Sequence, residues 1–249
     1  TVFEAALLQD VISELALRAW TRAPQGKPAL LQGDLALLRD LVAIDGSLLP
    51  ALPRMAWAVW QDEQHRTAKR HVAFAALRHV PVGVTVTAGN GAARAQARQL
   101  VHPGGFYVFD RGYLDYDLFA ALHALPCSFV ARVKEDAAYE VAQVAVVSPA
   151  ARAAGVTADV VLRRLGTAHH RPCAAQPLRV VRVATDKTHP DGTPVEMVLV
   201  TNRVDLDADL IALAYRYRWT VEVCQSQPVK MAWRPLRLLA TTIIYLRSC

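Results

Sequence analysis

Apolar residues recur at helical spacing near the start of the chain, at Phe3, Leu7, Leu8, Val11, Ile12 and Leu15, and predict a helix over residues 3–18. Residues 21–33 hold two prolines and two glycines and read as a connection. Asp34 then has the chemistry of an N-cap for a short helix to about Asp40. The apolar run Leu41-Val42-Ala43-Ile44 reads as a strand that ends at Asp45, with Pro50 and Pro53 interrupting the chain beyond it. Residues 55–60 are strand-like, and 71–77 with 82–87 form a strand pair turned near 78–81. Gly89-Asn90-Gly91 is a turn, followed by a short helix over 92–101. After Pro103-Gly104-Gly105 the run Phe106-Tyr107-Val108-Phe109 reads as a buried strand stopping at Asp110. Residues 115–125 have helical periodicity through Leu118, Phe119 and Leu122, and 128–133 predict another strand. The valine-rich stretch 139–200, broken by prolines 149, 172, 177, 190 and 194, suits a mainly β segment with several loops. A final helix is predicted over 205–219.

That last helix carries chemistry. Tyr215, Arg218 and Glu222 stand at i, i+3 and i+7, so one helical face presents a phenol, a guanidinium and a carboxylate. Asp45 and Asp110 each end an apolar run, and the three acids could meet in space to hold a divalent metal. Taken singly, each has a plainer reading. Asp45 in Asp-Gly is a common turn residue, Asp110 a strand-end turn residue, and Glu222 a solvated helix residue. Tyr215 and Arg218 could form a surface hydrogen bond and a salt bridge, Arg111 and Tyr113 could be turn residues, His71 a satisfied core histidine, and Trp219 core.

Composition narrows the class. Of 249 residues, 53% are apolar and 20% charged, which fits a packed globular protein and argues against disorder. No apolar run approaches the roughly 18 to 20 residues a membrane span needs, and no signal peptide is legible. The four cysteines are scattered without a C-x-x-C pair, so free thiols are expected rather than a zinc site or disulfide framework. The net charge of +6 permits a nucleic-acid partner without proving one. From Tyr215 onward six basic residues face only Glu222.

The order of elements, with Ile44-Asp45-Gly46-Ser47, His71 before an apolar strand, Asp110-Arg111-Gly112-Tyr113 and Tyr215-x2-Arg218-x3-Glu222, resembles the DDE transposases of bacterial insertion sequences, specifically the insertion-sequence-four family. The resemblance implies an α/β, ribonuclease-H-like catalytic domain over 38–223, with a β-rich insertion at about 138–203 before the last acid. It implies Asp45, Asp110 and Glu222 as catalytic metal ligands, and Tyr215, Arg218, Lys230 and Arg111 as DNA contacts. Mg²⁺ or Mn²⁺, as two ions, would serve strand cleavage and strand transfer, the carboxylates supplying the hard oxygens these cations prefer. The implied partners are double-stranded DNA at element ends, target DNA and a second copy of the chain on DNA, in a bacterial cytoplasm at the nucleoid and with no membrane. Residues 1–37 would be a helical remnant of an upstream DNA-binding region.

The resemblance stops near Val223. The family's lysine seven positions past the glutamate falls here on Val229, and a neighbouring position is rotated by about 100° on a helix, so Lys230 is out of phase. Pro228 also breaks the turn. We expect 224–249 to be an atypical basic tail produced by a frameshift, and the opening at Thr1 to mark missing upstream sequence. Genomic DNA without a family-like continuation in either other frame would count against the frameshift. The rival expectation is an inactive transposase remnant that at most binds DNA or an intact transposase.

Overall fold

The computed structural model describes residues 5–22, 37–50, 67–90, 93–113, 115–166 and 177–219. Contacts divide them into two units, the first holding 5–22, 43–50, 67–90, 93–100 and Trp219, the second 37–42, 101–113, 115–166 and 177–218. Among these residues no helix is long and apolar enough to cross a membrane.

In the first unit, β1 (Leu41–Pro50, from Ala43 on), β2 (Thr67–Ala75) and β3 (Val80–Ala88) lie in the order β3-β2-β1. The β2–β3 pair is antiparallel and turns through residues 76–79, where His79 takes a left-handed φ of 55° and sets its ring edge-on to Phe74. Pro81 is tolerated inside β3 because the register shifts there. Ala73 faces Gly83 and Phe74 faces Pro81, so Val82 is the extra residue of a bulge beside Pro81, on the strand that ends the sheet order, the settings in which proline is tolerated. Ala43, Val72, Phe74 and Val84 form one core cluster. Helix α1 (Ala5–Arg22) packs on β3 with Ala16 buried, whereas Leu7, expected on its apolar face, is exposed. Helix α2 (Ala93–Leu100) brings Leu100 so near Gly83 that a Cβ there would stand 3.0 Å from its methyl carbon.

The second unit is a six-stranded sheet, order β4-β5-β9-β8-β7-β6. Strands β4 (Phe106–Phe109) and β5 (Ser128–Val133) are parallel and joined through helix α3 (Tyr116–Ala124). Asp115 caps α3 by accepting the Asp117 N–H at 3.0 Å, and Phe119 of α3 stacks on Phe129 of β5 with centroids 4.6 Å apart. The remaining strands form an antiparallel meander: β6 (Tyr139–Val144), β7 (Val156–Leu165), β8 (Leu178–Thr188) and β9 (Pro194–Thr201). The meander returns to β5 through β9, where the Thr201 hydroxyl donates to the Phe129 carbonyl at 2.6 Å. Asn202 then accepts the Phe129 N–H at 3.0 Å and donates to the Cys127 carbonyl at 2.8 Å. Helix α5 (Ala208–Arg216) follows.

Several expectations change. Asp45 does not end a strand. β1 runs on to Pro50 beside β2, whose ladder holds Asp-Gly-Ser extended where the local sequence favours a turn. The mainly β stretch also contains a short helix α4 (Pro149–Ala153), with Ser148 accepting the Ala151 N–H at 3.1 Å and Pro149 in the first turn. The final helix stops at Arg216, and Trp219, expected in the core, is 49% exposed. Cys127 is a buried free thiol, while Cys173, Cys224, Cys249 and the strand expected over 55–60 lie outside the described residues.

Candidate active site at the end of β4

All four side chains of β4 are buried, as a strand covered on both faces requires. Its start is fixed by Gly105, where a Cβ would overlap the Tyr107 ring. The Tyr107 hydroxyl in turn accepts the His102 N–H at 2.7 Å. Its end is fixed by a 3₁₀ turn, Arg111–Tyr113, closed by Tyr113 N–H donating to the Asp110 carbonyl at 3.0 Å. Tyr113 is buried with its ring 6.1 Å from that of Phe109, so it belongs to the core. Asp110 is therefore held at the carboxyl end of a parallel strand, half-buried, with Arg111 exposed beside it.

Helix α5 supplies the other side. Its apolar stripe buries Leu210, Ile211, Ala214 and Tyr215, and the Tyr215 hydroxyl donates to Asp110 Oδ1 at 3.3 Å. Tyr215 is 1% exposed. Burial, then the Asp110 charge, push its phenol up to about 12, against the opposing pull of Arg218 and Arg132. It is thus a neutral donor throughout the working pH range, and a bond of this kind to a charged acceptor contributes about 1.5–3 kcal/mol.

The last turn of α5 tightens, with the Arg218 N–H bonding the Tyr215 carbonyl at 3.0 Å. That keeps the predicted three-residue relation and sets the Arg218 guanidinium carbon 5.7 Å from the Tyr215 ring centroid. The same tightening takes Trp219 off the buried stripe. Arg218 is 2% exposed, so the pair faces inward and not out to solvent.

The structure therefore brings Asp110, Tyr215 and Arg218 together, with Arg111 adjacent in sequence. Asp45 is half-buried in β1 of the first unit. Glu222 and Lys230 lie outside the described residues. Among the described residues no group of three or more His, Cys, Asp or Glu could hold a metal ion. The donor chemistry nevertheless suits a hard cation. Asp110 offers carboxylate oxygen, and among the described residues Oδ2 accepts no hydrogen bond, so the phenol occupies only one side of the group. Sequence reasoning missed Arg132, half-buried on β5 and acting on Tyr215. Its one signal is a charge inside the apolar run Phe129–Val133.

His71, read as either core or site-adjacent, is fully buried on β2. The Thr87 hydroxyl proton goes to the Ala88 carbonyl at 3.1 Å, so His71 Nε2–H is the donor to Thr87 Oγ1 at 3.3 Å. Burial first, and Lys69 second, lower its pKa to about 4.

A family profile described as the transposase DDE domain matches residues 37–226. No curated protein matches the chain. Among solved structures, a piggyBac transposase synaptic complex with hairpin DNA, determined by cryo-electron microscopy, is similar at a TM-score of 0.44 and 13% identity. The likeness covers 74% of this chain and 39% of that one, so the chain spans about two fifths of that relative's length.

Proposed function

This chain belongs to the transposase DDE domain family, and from that premise we propose that it cleaves DNA at the ends of an insertion element and transfers the cut strand, using Asp45, Asp110 and Glu222 as its carboxylate triad. The observation that carries the proposal is the Tyr215–Asp110 bond, which fixes a carboxylate at the carboxyl end of a parallel strand. Such strand ends are where α/β sheets gather ligand-binding groups. The fold we assign is ribonuclease-H-like, over residues 38–223 and with an insertion at about 138–203. It is supported by the β2–β3 hairpin beside β1 and by the parallel β4–β5 pair bridged by α3.

Two Mg²⁺ or Mn²⁺ ions held by the three carboxylates would supply Lewis-acid activation of the attacking oxygen and stabilisation of the leaving one. The chain's own groups do the rest. Tyr215 holds Asp110 Oδ1 and leaves Oδ2 for the cation. Arg218 and Arg132 offset the carboxylate charge around that phenol. Arg111, exposed on the turn after Asp110, presents a planar fork to a phosphate, and Lys230 adds a point charge. Tyr215 and Arg218, expected as DNA contacts, are 1% and 2% exposed, so we assign them to positioning Asp110 and not to a phosphate. The partners that follow are element-end and target DNA, with two copies of the chain pairing two ends, in the cytoplasm at the nucleoid.

The test compares Mg²⁺-dependent nicking of DNA carrying the flanking element ends by this chain and by Asp110→Ala. We expect a loss of about 10³-fold or more, the scale of several kcal/mol of charge stabilisation. Equal background rates in both would contradict the proposal and favour an inactive remnant.

A further inference from the structure

The β meander contains a buried ion pair that the site as described does not use. Arg179 of β8 donates from Nε to Asp159 Oδ1 at 2.7 Å and from Nη2 to Oδ2 at 2.6 Å, and both side chains are buried. Burying two charges to join neighbouring strands has no advantage over an apolar pair. What the guanidinium adds is its remaining edge. Nη1 donates to the Leu206 carbonyl and lies 3.5 Å from that of Arg203. Those carbonyls belong to the loop that leads into α5. Asp207, at the N-cap position of α5, makes no side-chain capping bond; the guanidinium, which donates to carbonyls and so does not cap the helix, instead anchors the loop before it. Tyr215 stands nine residues beyond Leu206, about 13 Å along a helix, and its hydroxyl ends on Asp110.

We propose that Arg179 is a positioning residue, which clamps the loop before α5 so that the Tyr215 hydroxyl meets Asp110. This rests on the reading of Asp110 as a metal ligand, and it gives the β insertion a part in the site.

Arg179→Met alone would strand a buried carboxylate, so the informative variant joins Arg179→Met to Asp159→Leu. Two measurements on the full chain need no activity. In the joined variant, amide exchange across Leu206–Ala214 should accelerate about tenfold or more, with α3 unchanged. Tyr215→Phe should lower the urea midpoint in the native background and leave it nearly unmoved in the joined variant, because the bond is already lost. An equal shift in both backgrounds, or unchanged exchange at α5, would overturn the proposal. If the joined variant fails to fold, Arg179→Lys, which keeps the charge and loses the fork, serves in the same two measurements and must show the same pattern. Nicking is read separately. Coupling without nicking in the native chain would sink the functional reading and leave Arg179 as the clamp of Tyr215.

Discussion

Two buried polar pairs, His71 with Thr87 in the first unit and Tyr215 with Asp110 in the second, show what separates a structural group from a site. Burial acts on both in the same sense, since it disfavours the charged form. It lowers the histidine to about 4 and raises the phenol to about 12. Their partners differ. The Thr87 hydroxyl accepts from the histidine and donates to the Ala88 carbonyl, so that chain ends on the β3 backbone. Asp110 is a carboxylate at a strand end, bound on one oxygen by Tyr215, and among the described residues its other oxygen accepts no hydrogen bond. A closed pair holds the fold; an open one can hold a ligand.

Substitutions that break the contrast should separate activity from stability. The largest effect falls on chemistry: Asp110→Asn should reduce Mg²⁺-dependent nicking by about 10³-fold, whereas His71→Gln should change the rate less than about threefold. A similar loss in both, measured as initial rates, would erase the distinction.

Next in size is a pH effect at His71. Its folded pKa lies below the unfolded value of 6.5, so the stabilisation is present above pH 6.5 and is lost as pH falls toward 4. The gap corresponds to about 3 kcal/mol. Urea unfolding at pH 7 and pH 4.5 should show that loss in the native chain and much less of it in His71→Gln. Tyr215→Phe should cost about 1.5–3 kcal/mol, the net worth of one hydrogen bond to a charged group. It is read from the urea midpoint at pH 7, where a change under a few tenths of a kcal/mol would argue against the Asp110 contact. The smallest effect belongs to Arg111→Ala. It should leave folding intact, weaken binding uniformly across DNA sequences, and reduce the slope of log affinity against log salt by about 1. An unchanged slope would remove Arg111 from the phosphate contacts.

Much of the second unit was legible in the sequence. Phe106-Tyr107-Val108-Phe109 has a single reading because every side chain is buried. Asp115 announces α3 through its capping chemistry, and β5 matches its apolar run from Ser128 to Val133. What escaped depends on partners distant in sequence. Asp45 lies inside β1 because a neighbouring strand overrides the turn preference of Asp-Gly. Arg179 and Asp159 sit among valines with nothing local to pair them, and they meet only because β7 folds back on β8. The three-residue spacing of Tyr215 and Arg218 was read correctly, but not their burial, since a helical pattern does not say which stripe the sheet will cover.

The most direct test of the central claim, that Asp110 is a metal ligand at a DNA-cleaving site, replaces its hard oxygen with sulfur. Asp110→Cys should be inactive in Mg²⁺, which takes oxygen ligands, and recover part of its nicking in the more thiol-tolerant Mn²⁺. Equal inactivity in both metals, beside a native chain that nicks in each, would contradict the account.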